Sequence, residues 1–271
     1  DPMNSALVRC AYADVAHGQI HYAECGLRGA PAVLLLHQTP RSWTEYRAVL
    51  PLLGARYRAI AMDTAGFGAS APLAGGPSIE RWAAAAAALL DALGIERAHV
   101  AGHHTGGVIA IELAAAYPAR VGKLVLSSTP YSDAPFRRER AQRPAIDEVA
   151  IRPDGTHLAE LWQRRQPYYP PERPDLLHAF VCDALKVIDR LEEGHRAVAS
   201  YRMEERIARI TQPVLVIRAG RDPFAAPHAQ AICEQLPQAR LVEIADGMVP
   251  LPDQLPAAFA QAVLDFLDAD R

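Results

Sequence analysis

The residues best suited to chemistry follow short apolar runs of the sequence. His104 lies at the centre of the run GHHTGG, residues 102–107, between an apolar segment and a helix-forming one. Glycines on either side permit a sharp turn that presents the central side chain outward. An imidazole changes charge near neutral pH, so His104 could take a proton from water or from an acidic carbon, or attack a carbonyl itself. The spacing predicts a catalytic site centred on His104.

Two other polar segments also begin where apolar runs end. They are HQTP (residues 37–40) and DTAGFGAS (63–70). Open α/β sheets bind ligands at the carboxyl ends of their strands. We therefore expect these segments to meet GHHTGG at one edge of a sheet.

Short apolar runs alternate with longer helical patterns, which indicates βαβ units and a largely parallel sheet. The first two runs flank His17-Gly18 and predict an antiparallel hairpin. The predicted strands cover residues 7–12, 19–24, 32–36, 57–62, 99–101, 123–126, 214–217 and 240–244. The predicted helices cover residues 43–53, 79–93, 107–116, 228–236 and 255–267.

Residues 131–209 interrupt this alternation because they contain no strand-like run. They hold helical patterns near 156–166, 175–191 and 195–208, with a proline-rich joint at 167–174. Long excursions in compact domains are usually functional. We predict a core formed by 1–130 and 210–271 with an inserted helical cap at 131–209, the alternative being a packed structural excursion.

The order and spacing of these motifs resemble the α/β-hydrolase superfamily, in the capped branch that includes haloalkane dehalogenases, epoxide hydrolases, esterases, carbon–carbon bond hydrolases and cofactor-independent dioxygenases. GHHTGG is similar to the nucleophile elbow G-x-S-x-G, with His104 in place of serine. HQTP is similar to H-G-x-P, with Gln38 in place of glycine. The resemblance covers nearly the whole chain. It implies an α/β fold with an eight-stranded, mostly parallel sheet, helices on both faces and a helical cap.

The resemblance also implies roles for individual residues. The backbone amides of Thr39 and Thr105 would form an oxyanion hole. The run GRDPF (220–224) resembles the G-x-x-D loop, so Asp222 would be the acid of the Ser–acid–His triad, with Asp133 as the alternative position. The run ADGMVP (245–250) resembles the G-H-x-P loop, with Met248 in the position of the triad histidine, so two triad members are replaced and the acid remains.

We interpret His104 as a base or atypical nucleophile that Asp222 orients; the alternative is an inert residue in a turn that has lost its chemistry. The leading hypothesis is a cofactor-free enzyme acting on a small carbonyl, ester or lactone-type compound. Lyase or dioxygenase chemistry by carbon deprotonation stays open, and so does a non-catalytic ligand-binding role.

Further residues are predicted to contact the substrate. They are His37, Gln38, His103, Trp162, Arg165, Tyr168 and Met248. Arg165 could bind a carboxylate or oxyanion, whereas a structural role that holds neighbouring loops is favoured for His103. No carboxylate completes a ligand set with the histidines at 37, 103 and 104, so we expect no metal.

Composition limits the partners. The 271 residues carry a net charge of −3 with 50% hydrophobic residues, and no block of Lys/Arg suggests nucleic-acid or membrane binding. No N-terminal stretch has the pattern of a secretory signal, and four widely spaced cysteines favour reduced thiols in the cytoplasm. A cross-strand pair of Cys10 and Cys25 stays open, as does a homodimer through the cap or an edge strand.

Overall fold

The structure, a computed structural model, describes residues 7–269. Its eight strands form one sheet in the order β1-β2-β4-β3-β5-β6-β7-β8. Only the β1–β2 and β2–β4 pairings are antiparallel. The strands are β1 Arg9–Val15, β2 Gly18–Cys25, β3 Ala32–Leu36, β4 Arg58–Met62, β5 Ala98–His103, β6 Val121–Ser127, β7 Val214–Ala219 and β8 Ala239–Ile244.

Ten α-helices accompany the strands in the described part of the chain. They are α1 Val49–Gly54, α2 Ile79–Ala92, α3 Thr105–Ala116, α4 Ala134–Ala141, α5 Thr156–Arg165, α6 Pro174–Leu185, α7 Glu193–Ser200, α8 Ala229–Gln235, α9 Leu251–Gln254 and α10 Pro256–Asp268. The predicted α/β architecture, an eight-stranded, mostly parallel sheet with helices around it, is confirmed.

The central strand β3 shows why helices cover both faces. All five of its residues are buried, and side chains alternate between the two faces of a strand. Leu34 and Leu36 join the apolar cluster that contains residues of α2 and α3. Val33 and Leu35 join the cluster that contains residues of α1 and α10. The continuous apolar run of β3 is therefore buried on both faces of the sheet.

The predicted helix at 43–53 is divided in two. A 3₁₀ helix, Trp43–Tyr46, begins at Ser42, whose hydroxyl accepts a hydrogen bond from the amide of Thr44. The α-helix α1 starts only at Val49. Pro51 is the reason, because a proline ring is tolerated in the first turn of a helix but clashes with the preceding turn further along.

Residues 131–209 lie between β6 and β7, contain α4 to α7 and form no strand; this segment is called the cap below. Its separation from the core as an inserted domain stays a prediction. Helix α4 was not predicted from the sequence. Asp133 is the N-cap residue of α4 and accepts a hydrogen bond from the amide of Phe136 at 2.9 Å. Its carboxylate is therefore engaged at the start of this helix.

A buried cluster of charges connects the cap to the sheet. The Arg41 side chain is fully buried and pairs with Asp183 of α6 at 3.0 Å and with Asp253 of α9 at 2.8 Å. Burial, together with the nearby carboxylates of Glu45 and Asp183, raises the pKa of Asp253 to about 6 although Arg41 opposes the shift. Removing one partner from such a buried pair typically costs about 3–5 kcal/mol.

Candidate active site

His104 lies on the turn between β5 and α3 with φ 50° and ψ −118°, a backbone conformation that non-glycine residues rarely adopt. Such strain costs about 1–3 kcal/mol. The flanking glycines make the turn possible. A Cβ on Gly102 would lie 2.1 Å from the carbonyl oxygen of Gly106, and a Cβ on Gly106 would lie 2.0 Å from that of Leu36. The predicted sharp turn is present, and glycine is needed on both sides of it.

Asp222 meets His104 directly. The His104 Nε2 lies 2.6 Å from Asp222 Oδ2, and Asp222 Oδ1 accepts hydrogen bonds from the amides of Phe224 and Ala225 at 2.9 and 3.2 Å. Burial would raise the pKa of Asp222, but the neighbouring His104 and these hydrogen bonds hold it below its usual value. Because an ionised carboxylate only accepts, Nε2 carries a proton.

The second ring nitrogen of His104 is left available. Its Nδ1 makes no hydrogen bond to any residue between 7 and 269, and about 16% of the side chain is exposed. In the neutral ring this nitrogen carries the lone pair. The arrangement can therefore accept a proton or attack an electrophile, with the opposite nitrogen held by a carboxylate.

His103 is buried behind the turn and stays neutral. Its Nε2 donates to the carbonyl oxygen of Val249 at 2.8 Å, and its Nδ1 accepts from the Ser127 hydroxyl at 2.9 Å. Burial and the neighbouring His104 lower the pKa of His103 to about 3. The ring ties the turn to the loop that contains Met248, and it does not reach the cavity described below.

Two threonines lie beside His104. The hydroxyls of Thr39 and Thr105 are 2.9 Å apart. Thr105 is the first residue of α3, where a backbone N–H has no acceptor within the helix. Within residues 7–269 the backbone amides of both threonines lack a hydrogen-bond acceptor. The amide of Gln38, by contrast, donates to Glu45 at 2.9 Å.

A cavity of about 680 Å³ opens in front of these groups, within the range of small-molecule sites. Residues from the sheet and from the cap line it together. Its lining includes Gln38, Thr39, His104, Thr105, Phe136, Glu139, Arg140, Arg143, Arg164, Arg165, Tyr168, His195, Phe224, His228 and Val249.

The cavity brings together His104, Gln38, Thr39, Thr105, Arg165 and Tyr168 of the residues predicted from the sequence. Four other predicted contact residues are not in its lining. His37 uses Nδ1 to donate to Gln38 O and Nε2 to accept from the Thr64 amide, so it holds two loops together. His103 uses both ring nitrogens on Ser127 and Val249.

Trp162 and Met248 are the other two. Trp162 packs against the apolar core instead of the cavity. Met248 is buried, and its amide donates to Gln254 at 2.6 Å. The predicted contacts of these four side chains with substrate therefore find no support in where the structure places them.

Arg165 lines the cavity, but its charge is already paired. The guanidinium binds both oxygens of Asp147, at 2.7 Å from Nε to Oδ1 and 2.5 Å from Nη2 to Oδ2. It also lies 4.6 Å from the centre of the Phe180 ring. The hypothesis that Arg165 binds a substrate carboxylate is corrected by this geometry, because Asp147 occupies the bidentate face.

Sequence reasoning missed Asp147 and His195, which meet at the cap side of the cavity. Asp147 lies outside regular secondary structure, and 48 residues separate it from His195. No local spacing relates them. Asp147, Glu192 and His195 offer ligand atoms within 4.8 Å of one another, but Arg165 and Arg140 pair with the two carboxylates and oppose a bound cation.

The chain belongs to the α/β-hydrolase fold family, whose model matches residues 31–248. It is 40% identical over 113 residues to 2-hydroxy-6-oxononadienedioate/2-hydroxy-6-oxononatrienedioate hydrolase 1 of Dechloromonas aromatica (strain RCB), which covers 40% of this chain and 39% of that protein. The match therefore spans about two fifths of that relative's length. This chain is also 32% identical over 241 residues to a putative carbamate hydrolase, RutD, of Azorhizobium caulinodans. That match covers 82% of this chain and 85% of the relative.

Solved structures agree on the fold. A hydrolase from Pseudomonas aeruginosa PA01 matches with a TM-score of 0.78 at 25% identity, covering 96% of this chain and 98% of the other. The enol-lactonase from Burkholderia xenovorans LB400 matches with a TM-score of 0.78 at 23% identity, covering 95% and 100%. Among the described residues, no helix has both the length and the apolar character needed to cross a bilayer.

Proposed function

We propose that the chain is a cofactor-free hydrolase of a small ester, lactone or related carbonyl compound, in which His104 replaces the serine of the elbow. The observation that carries the proposal is the 2.6 Å contact between His104 Nε2 and Asp222, on a side chain that lines the cavity. His104 acts as general base or atypical nucleophile, and Asp222 orients it. The relatives named as hydrolases support this class of reaction.

Asp222 holds the imidazole of His104 through Nε2. Its second oxygen accepts from the backbone amides of Phe224 and Ala225, and no Lys or Arg side chain of residues 7–269 pairs with it. A proton arriving at Nδ1 of His104 would create an imidazolium beside this carboxylate. A positioned base of this kind typically contributes about 10²–10⁴-fold to a rate.

The proposed reaction uses the groups around Nδ1. His104 removes a proton from water as the water attacks the carbonyl carbon, and the charge that develops on the carbonyl oxygen is stabilised by the amides of Thr39 and Thr105. Direct attack by Nδ1 would give an acyl-imidazole that water then hydrolyses. Both routes need the neutral ring and the two free amides.

A second candidate function is deprotonation of an acidic carbon, as in a lyase or a cofactor-independent dioxygenase. It is favoured by the absence of a hydroxyl or carboxylate at position 104. The same base would remove the proton, and the same amides would stabilise an enolate oxygen. A ligand-binding protein without turnover is the remaining class.

One screen separates these functions. The wild-type protein, His104→Gln and His104→Ala are assayed with p-nitrophenyl esters, lactones and β-diketones. The exposed cap residue His178, changed to Gln, serves as the control. We expect the wild type and the control to hydrolyse esters or lactones at equal rates and both His104 variants to lose at least about 100-fold in kcat/KM.

Equal turnover by His104→Gln and wild type would rule out the catalytic role. Turnover of the β-diketones alone would favour carbon deprotonation. If none of the compounds is turned over but adding them raises the melting temperature, the chain is a binding protein.

A further inference from the structure

A second histidine–carboxylate pair faces the same cavity from the cap. His195 of α7 lies with its Nε2 2.7 Å from Asp147 Oδ2, and both His195 and His104 belong to the cavity lining. We propose that His195, in its imidazolium form, is the proton donor of the reaction and delivers its Nδ1 proton to the leaving-group oxygen of the substrate. This proposal rests on the function proposed above.

The hydrogen bonds set which nitrogen of His195 faces the reaction. Burial would raise the pKa of Asp147, but the charge and hydrogen bonds of Arg165, with a further contribution from His195, hold it well below its usual value. The carboxylate is therefore ionised and accepts from Nε2. Nδ1 of His195 has no hydrogen-bond partner in the described part of the chain, and about 17% of the side chain is exposed.

The charges around His195 differ from those around His104. Asp147 is neutralised by a bidentate guanidinium from Arg165. Glu192, the other carboxylate of the cluster, pairs with Arg140 at 3.2 Å and accepts from the amides of Ile146 and Asp147. Two anions and two cations therefore cancel beside His195. Asp222, beside His104, pairs with no Arg or Lys side chain among residues 7–269.

The place of each ring assigns the direction of proton transfer. His104 lies beside Thr39 and Thr105, whose free amides would hold the carbonyl oxygen, so its place suits the base that activates the attacking water. His195 lines the same cavity from α7 of the cap, and its place suits a donor to the leaving group. One ring comes from the elbow and the other from the cap, and because both line one cavity a bound substrate can contact both.

The step balances. His104 Nδ1 takes a proton from water, and the water oxygen forms a bond to the carbonyl carbon. When the bond from that carbon to the leaving oxygen breaks, the electron pair goes to that oxygen and His195 supplies its proton. A carboxylic acid and an alcohol result, and exchange with solvent returns both rings to their starting states. An alkoxide needs this proton to leave, whereas p-nitrophenolate is stable without it.

The test compares two leaving groups on one acyl group. His195→Gln and wild type are assayed with p-nitrophenyl and ethyl esters of acetate and butyrate, and His178→Gln is the cap control. We expect His195→Gln to lose about 10²–10³-fold in kcat/KM on the ethyl esters, within the usual contribution of a general acid, and less than about 10-fold on the p-nitrophenyl esters. The control should match wild type on all four.

A pH profile gives a second reading that a merely structural role would not change. For the wild type with ethyl esters, kcat/KM should fall at alkaline pH as the donor loses its proton, and this alkaline limb should be absent in His195→Gln. An equal loss on both ester types, or an alkaline limb that persists in the variant, would overturn the donor role of His195 and leave the base role of His104 standing. If the wild type cleaves none of the esters, or His104→Gln cleaves them normally, the proposed function fails and the donor role fails with it.

Discussion

The two sides of the cavity each hold a histidine against an aspartate, but they are built in different ways. On the sheet side, Asp222 is fixed by the amides of Phe224 and Ala225, two and three residues further along its own loop. On the cap side, Asp147 is fixed by Arg165 and His195, 18 and 48 residues away. Local backbone geometry positions one carboxylate, and long-range ion pairing positions the other. The cap side should therefore depend more on side-chain charge for its stability.

Changing Arg165 to Met tests this difference most strongly. The substitution leaves the buried Asp147 without its cation, so we expect the free energy of unfolding to fall by about 3–5 kcal/mol. Urea denaturation measures it. The double variant Arg165→Met with Asp147→Asn should recover part of the loss because it removes the unpaired charge. If Arg165→Met alone were as stable as wild type, the ion pair between Arg165 and Asp147 would not stabilise the cap.

Changing Asp222 to Asn addresses the sheet side. The amide can still occupy the loop, but it cannot hold His104 with an ionised oxygen. We expect kcat/KM for an ester substrate to fall by about 10²–10³-fold, equal to about 2.7–4 kcal/mol of transition-state stabilisation. Stability should change much less than in Arg165→Met. A variant that unfolds instead would assign Asp222 a mainly structural role.

Changing Asp253 to Asn tests the charge cluster beneath the cap. The pKa of Asp253 is raised by burial to about 6, so the folded state binds a proton that the unfolded state releases near its ordinary value of 3.8. This group therefore lowers stability as pH rises from about 4 to about 6, by up to about 3 kcal/mol above that window. Asparagine carries no such charge.

The stability difference between Asp253→Asn and wild type should accordingly grow in favour of the variant as pH rises from 4.5 to 7.5. Urea midpoints at several pH values measure it. Parallel curves for the two proteins would contradict the raised pKa. Burial would raise the pKa of Asp183, but Arg41 and the hydrogen bonds from Thr44 and Ser42 hold it below its usual value. Asp183 is retained in both proteins, so the difference between their curves reports Asp253 and its coupling to Asp183.

Changing His104 to Gly has the smallest expected effect on stability. Glycine adopts the positive φ of the elbow without strain, but the change also leaves the buried Asp222 without its partner. The two effects oppose each other, so we expect the free energy of unfolding to change by less than about 1 kcal/mol, while activity is lost. Thermal unfolding measures the change in stability of His104→Gly, and ester turnover measures its loss of activity. A less stable variant would mean that the imidazole contributes more through Asp222 than the strain costs.

Several features of the site could be predicted from the sequence because they depend on neighbouring residues. The run GHHTGG fixes a turn that only glycines at 102 and 106 permit, and the strand–turn–helix order around it indicates the fold. Asp222 was identified by its loop after β7, and the structure brings it within 2.6 Å of His104. Which side chains face outward was less predictable, since His37 and His103 turned out to use both ring nitrogens on buried partners.

The sequence by itself determined the alternation of strands and helices, the elbow and its imidazole, because apolar periodicity and glycine geometry act over a few residues. Only the tertiary structure decided that Arg165 is paired with Asp147 and that His195 joins His104 at one cavity. A charged side chain finds its partner through the folding of the whole cap, and no pattern along the chain records which of the surrounding arginines and carboxylates will meet. The physical reason is the separation along the sequence over which each interaction acts. A turn depends on neighbouring residues, whereas a buried ion pair forms only when distant segments pack together.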